Sequence, residues 1–180
     1  KAMIGGRQIE GSKTFNRAAD AARQPGSTIK PLSVYLPALD LGYSAAYPID
    51  DLPRYNEKGD RWPKNWYEHK SIKYAGITTL RKSIEQSINT NAVTMLETIG
   101  LDAAVDSLTK LGLINPDSPG NDTFIFPQED PVNNDINLAS LALGGLTKGF
   151  SPLGMTAAYG TIANDGVYIE PIVYTKVVNS

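Results

Sequence analysis

Ser27 and Lys30 stand three residues apart in the stretch RQPGSTIKP, Arg23 to Pro31, directly behind a Pro-Gly turn. A serine that attacks a carbonyl needs exposure, a neighbouring base, and N–H groups free to hold the oxyanion that develops. A serine in the first turn of a helix can have all three, because the N–H groups there have no intrahelical partner and their positive end favours negative charge. A spacing of three puts Lys30 one turn along on the same face. For Lys30 to serve as a base, burial or nearby cations must lower its pKa from about 10.4, and a shift of about 3 units corresponds to about 4 kcal/mol. Ile29, Leu32 and Val34 are the apolar neighbours available for that.

Spacing alone is weak support. With 12 serines and 11 lysines in 180 residues, about 0.7 S-x-x-K matches arise by chance. The chain has two, and the second, Ser107 to Lys110, lies in the middle of the helical stretch AAVDSLTKLG. There the serine N–H is already bonded, and Ser107 reads as a surface residue. Pro31 sets the first match apart: it offers no N–H to the Ser27 carbonyl four residues back, and its ring crowds that carbonyl. The backbone at Ser27 should therefore be bent or tightened. A capping serine with a solvated lysine would account for Gly26 and Ser27 but not for Pro31.

A second pair of polar residues, Ser87 and Asn89 in QSINTNAV, forms the only S-x-N triplet. They fall at a break between two helical stretches, where side chains can point into a cleft. By spacing alone, a polar face residue followed by a helix terminator is the better explanation of them.

The elements that must position these residues follow from periodicity. NRAADAARQ is a short helical candidate ended by Pro25-Gly26, and Ser27 to about Leu41 reads as a buried helix that Pro37 kinks or ends early. Gly42 to Ala75, with three prolines and two tryptophans, reads as a long ordered loop. Thr78 and Thr79 can cap LRKSIEQSI, which has Leu80, Ile84 and Ile88 on one face. AVTMLETIG follows a break at NTN, and Asp102 caps AAVDSLTKLG, which ends at Gly112. Asn115 to Asn134 is loop, INLASLALGG is helix up to Gly144-Gly145, and Ser151, Pro152 and Gly166 mark the start and stop of another. KAMIGG resembles the end of a strand, and VYI and PIVYTKVV around Pro171 read as two strands. The sum is α+β: five or six helices with strand material at both ends.

Composition narrows the function. An apolar fraction of 41% with 20% charged residues describes a folded globular chain, and a net charge of −2 with scattered lysines and arginines gives no footprint for nucleic acid. Without cysteine there is no disulfide, thiolate catalysis or cysteine-bound zinc. The single His69, in WYEHK, cannot build a multi-histidine metal site and reads as exposed, so no metal site is expected. No apolar run reaches about 18 residues and no charged-then-apolar leader precedes Lys1, so the chain as given is expected to be soluble.

FNRAADAARQPGSTIKP resembles the active-site segment of the transpeptidase domain of penicillin-binding proteins, particularly the bifunctional class A type. QSINTNAV resembles the family's second motif, WPKNW its W-P-x-N stretch, and ALGGLTKGFSPLGMTAAYGTIANDGVYIEP the segment leading toward its third, so the likeness runs over most of the chain. The family's K-T-G motif is absent; TKG at Thr147 to Gly149 has the letters in another order and reads as a loop.

The resemblance implies a β-lactamase/transpeptidase-like fold, with residues 1–180 a partial domain, mostly its helical part, lacking the C-terminal sheet and K-T-G. It implies an acyl-serine DD-transpeptidase that cross-links peptidoglycan stem peptides and is a target of β-lactams. Ser27 would be the nucleophile, Lys30 its base, Ser87 a proton relay and Asn89 a substrate-binding residue. No cofactor is implied. The expected partners are stem peptides, β-lactams, the remainder of the polypeptide with its K-T-G strand, and a glycosyltransferase domain, and the expected location is the outer face of a bacterial cytoplasmic membrane. The fragment alone is expected to be inactive. A DD-carboxypeptidase or β-lactamase relative using the same serine, a non-catalytic β-lactam or muropeptide binder, and an unrelated helical interaction module are the alternatives.

Overall fold

The computed structural model describes residues 3–6, 14–68, 73–117 and 123–172. His69 and the stretch from residue 173 onward, which holds most of the second strand expected at the C-terminal end, lie outside the described residues.

The helix expected from Ser27 to Leu41 forms as three pieces joined end to end. A 3-10 turn, Gly26–Ile29, runs into a wide π turn, Pro31–Tyr35, and then into α1, Leu36–Asp40. The prolines explain the changes of pitch. Lys30 N–H reaches back three residues to the Ser27 carbonyl, which supplies the partner that Pro31 cannot. Beyond Pro31, Leu36 N–H bonds the Pro31 carbonyl five residues back. The Leu32 carbonyl is then left without a backbone donor, because five residues on stands Pro37. Ser107 fills the gap, its Oγ 2.6 Å from the Leu32 carbonyl.

Ser107 is thus buried at 6% exposure and not on the surface as its sequence context suggested. The correction has a plain cause: a buried carbonyl without a partner costs about 1–3 kcal/mol, and a serine inside α4, Leu101–Lys110, can point a hydroxyl across the helix interface.

This broken helix is the centre of the core. Ile29, Leu32, Val34, Tyr35 and Ala38 are buried against Ala92, Val93, Met95 and Leu96 of α3, Asn89–Ile99, with Ala104 and Leu108 of α4 and Leu141 and Ala142 of α5, Leu138–Leu143. Helix α6, Pro152–Ala163, starts as its sequence signals require, with the Ser151 hydroxyl accepting from Gly154 N–H and Pro152 in the first turn.

Other features differ from the sequence expectation, and residues 3–6, read as the end of a strand, are irregular. Residues 17–20 form a turn and not a helix, and Arg23 pairs instead with Phe150 across a two-way backbone bridge at 3.1 and 3.0 Å. The loop expected from Gly42 to Ala75 contains β1, Pro48–Asp51, which pairs antiparallel with β2, Gly76–Thr79. Helix α3 begins on Asn89 itself, so the break falls at Gln86 to Ile88, one step before NTN, and the cap of α4 is Gly100, with Asp102 in its first turn. Val167 to Ile169 are irregular: strand propensity alone does not make a strand without a neighbouring edge to pair with.

Candidate active site

Three elements deliver the site. The 3-10 turn presents Ser27, the residue after it is Lys30, and the step between α2, Leu80–Glu85, and α3 supplies Ser87 and Asn89. Ser27 is exposed, whereas Lys30 is 2% exposed, and both line one cleft of about 310 Å³ with Ser87, Tyr35, Ile84 and Tyr159.

The approach to Ser27 is set by backbone fit. Gly26 has φ +55°, and Gly144, at φ +75°, lies so close to it that a Cβ there would stand 2.2 Å from the Gly26 carbonyl oxygen. Gly144 is also the left-handed C-cap of α5, so one glycine both ends a helix and seats the turn that carries the serine. Tyr159 of α6 closes the other side, its hydroxyl donating to the Thr28 carbonyl at 2.7 Å.

Lys30 points across the cleft to the second motif. Its Nζ donates to the Ser87 carbonyl at 2.8 Å, to Ser87 Oγ at 3.1 Å and to Asn89 Oδ1 at 2.5 Å. All three ammonium protons are thereby used, and the Ser27 hydroxyl makes no hydrogen bond among the described residues. Burial pushes the Lys30 amine from 10.5 down to about 8. A base at that value is neutral in about one molecule in ten at pH 7, against about one in three thousand for a free lysine. Once neutral, it keeps two donors and gains a lone pair that can accept a proton from a hydroxyl in the cleft.

Ser87 faces Lys30 twice, through its hydroxyl and its carbonyl, because it takes a left-handed backbone with φ +50°. The local pattern is a Schellman C-cap: Ile88 N–H bonds the Ser83 carbonyl at 3.0 Å and Ser87 N–H bonds the Ile84 carbonyl at 3.1 Å. That position favours glycine, so a serine there carries strain.

The four residues picked out in the sequence therefore meet in one place, drawn from two helix ends about 60 residues apart in the chain. Sequence reading had not assigned Asn65, Asp51, Tyr35, Gly144 or Tyr159 to the site. WPKNW did contain Asn65, but nothing in its spacing told which helix it would serve. Among the described residues no cluster of His, Cys, Asp and Glu could hold a metal.

An exposed serine, a buried lysine of lowered pKa and an S-x-N triplet bonded to that lysine bring together, on a helical lobe, the groups that serine acyl transfer requires. The family model of the penicillin binding protein transpeptidase domain matches residues 2–180, and the chain belongs to that family. It is 37% identical to penicillin-binding protein 1A of Clostridium tetani over 187 residues, and 39% identical to penicillin-binding protein 1A of Aquifex aeolicus over 183. Each match takes in 99% of this chain and 22% of the relative, so the chain spans about a fifth of those relatives. The crystal structure of penicillin-binding protein 1A from Haemophilus influenzae superposes with a TM-score of 0.68 at 31% identity, over 89% of this chain and 21% of that one. The fold is accordingly β-lactamase/transpeptidase-like and α+β.

Proposed function

We propose that this chain is part of a DD-transpeptidase in which Ser27 becomes acylated during peptidoglycan cross-linking and by β-lactams. The observation that carries the reading is the Lys30 amine, buried, lowered in pKa and bonded to Ser87 and Asn89 beside an exposed Ser27.

Neutral Lys30 takes the Ser27 proton as Oγ attacks the carbonyl between the two terminal D-alanines of a stem peptide. The Ser27 N–H, in the first turn of its 3-10 segment, lies outside the intrahelical ladder and is one donor to the oxyanion. The C–N bond then breaks, the amine of D-alanine takes a proton relayed from Lys30 through Ser87, and an acyl-serine remains. Asn89 Nδ2 gives one proton to the Lys64 carbonyl while Oδ1 accepts from Lys30, which leaves its second Nδ2 proton to hold the peptide. An amine from a second stem peptide attacks the acyl carbon and gives a proton to Lys30, which passes a proton to Ser27 Oγ as the acyl–oxygen bond breaks and the serine hydroxyl is restored. No cofactor enters, since covalent catalysis divides the transfer into two steps.

The second oxyanion donor belongs, in this reading, to a K-T-G strand beyond Ser180. The four residues act in a polypeptide that carries that strand, beside a glycosyltransferase domain and held at the outer face of the membrane. No described helix is long and apolar enough to cross a membrane. The test is mass spectrometry of a polypeptide extended past Ser180 after exposure to labelled penicillin. One adduct on the Ser27 peptide, absent in Ser27→Ala and absent from the 180-residue chain alone, is expected; an extended protein without adduct refutes the reading. Product analysis with and without an amine acceptor then separates cross-linking from hydrolysis.

A further inference from the structure

Ser87 and Asn89 do not hold themselves in place. Helix α3 begins with Ile88 as its N-cap, which has no side-chain acceptor, so its first N–H groups need a partner from elsewhere. Asn65 supplies it from the loop that follows β1. Its Oδ1 accepts from Asn89 N–H at 2.9 Å and from Thr90 N–H at 3.3 Å, and the side chain is 3% exposed.

Asn65 is fixed in turn by the small sheet. Its Nδ2 donates to Asp51 Oδ1 at 2.8 Å, which turns the amide oxygen toward α3. Asp51, at the end of β1, is fully buried, and its carboxylate also receives the Thr90 and Tyr67 hydroxyls and the Ala75 N–H. The neighbours of Asn65 grip the residues on either side of Ser87. The Lys64 carbonyl accepts from Asn89 Nδ2 at 2.7 Å, and Trp66 Nε1 donates to the Gln86 carbonyl at 2.7 Å. A carbonyl can only accept, so the Asn89 amino group must face Lys64, and its oxygen is what remains for Lys30.

We propose that Asn65, backed by Asp51, is a positioning residue of this active site, holding the Ser87–Asn89 step so that both side chains face Lys30. The role given to Lys30 rests on the acyl-serine reading above; the geometry of the clamp does not. Asn65 touches no reacting atom. Its effect passes through the dryness and the hydrogen bonds of Lys30, whose amine is displaced by burial alone. The titratable groups that line the cleft with it are Tyr35, from its own broken helix, and Tyr159, from α6, and burial raises both, so both are neutral across the working range. Loosening the step lets water reach the ammonium and returns the amine toward the free-lysine value.

The experiment uses the polypeptide extended past Ser180 and two variants, Asn65→Ala and Trp66→Phe. The first removes the cap; the second, at a side chain 53% exposed, removes the indole N–H that bonds the Gln86 carbonyl and exchanges the indole for a smaller ring. Two quantities are read in each: the titration midpoint of the Lys30 side chain by NMR at Cε, and the rate of acylation by a fluorescent penicillin at pH 7. In Asn65→Ala the midpoint is expected to rise by about half a unit to one unit, with acylation slowed about three- to tenfold. Trp66→Phe should move both in the same direction by less.

A folded Asn65→Ala protein with an unmoved midpoint and an unchanged rate would overturn the proposal, since a merely structural asparagine lowers stability and nothing else. Should Asn65→Ala fail to fold, Trp66→Phe decides by the same two readings. An unsubstituted protein that takes no penicillin, but whose Lys30 midpoint still moves in the variants, removes the acyl-serine reading and leaves the clamp standing.

Discussion

Ser87 sits in the left-handed C-cap of α2 with its Oγ 3.1 Å from Lys30 Nζ. The same φ that turns both its polar atoms toward the lysine disfavours any residue with a Cβ, at a cost of about 1–2 kcal/mol. Ser87→Gly should therefore raise stability by about 1 kcal/mol in urea unfolding while acylation is lost or greatly slowed. Ser87→Ala should lose activity without that gain. A glycine variant no more stable than the parent would show that the serine carries no strain.

Lys30 makes stability depend on pH in a definite direction. Its folded-state value of about 8 lies below the unfolded 10.5, so between those limits the unfolded chain binds more protons and stability rises with pH. Below pH 8 both states are charged and the full penalty of burial, about 3 kcal/mol, is present. The difference in unfolding free energy between the parent and Lys30→Met should thus move in favour of the parent by up to that amount from pH 7.5 to 10.5. A difference that stays constant over this range is incompatible with a buried amine. Acylation should rise through the same midpoint near pH 8, as the neutral amine accumulates.

Gly144 is the residue where backbone contact, not chemistry, governs the serine. Ala at this position would meet the Gly26 backbone at 2.2 Å from a left-handed conformation. Both penalties act together, so Gly144→Ala should destabilise by more than about 2 kcal/mol. Acylation of Ser27 should also fall, because the turn before it is displaced. A calorimetric scan and the penicillin assay together check this; an unchanged melting temperature contradicts the contact.

Tyr35 lines the cleft floor at 2% exposure, and its hydroxyl has no hydrogen-bond partner among the described residues. Deleting a buried hydroxyl that has no partner removes its desolvation cost. Tyr35→Phe should raise stability by about 1 kcal/mol with the cleft otherwise intact. A loss of stability would mean that the hydroxyl has a partner in solution, and high-resolution crystallography of the cleft would then locate it.

Much of this arrangement was legible before any fold was known. Signals that act within a few residues were read correctly: Thr79 as the cap of α2, Ser151 and Pro152 at the start of α6, Gly144 at the end of α5, and the distortion that Pro31 forces beside Ser27. Each is decided by local sterics or by a side chain bonding its own backbone. The α4 cap expected at Asp102 and the break expected at NTN missed locally by a few residues, whereas other expectations that failed depended on distant partners. β1 and β2 pair across 24 intervening residues, Arg23 is drawn out of a helix by Phe150, and Ser107 is buried because Leu32, 75 positions away, lacks a donor.

What the sequence determined by itself was the pair of helix ends that present the four polar residues, because cap and turn chemistry is local; the roles expected of those residues came from the family resemblance. What only the tertiary structure decided was their meeting. The clamp by Asn65 and Asp51, the seat of Gly26 on Gly144 and the burial that lowers Lys30 all arise where segments far apart in the chain exclude water together. The strength of that exclusion is a property of packing that no single segment encodes.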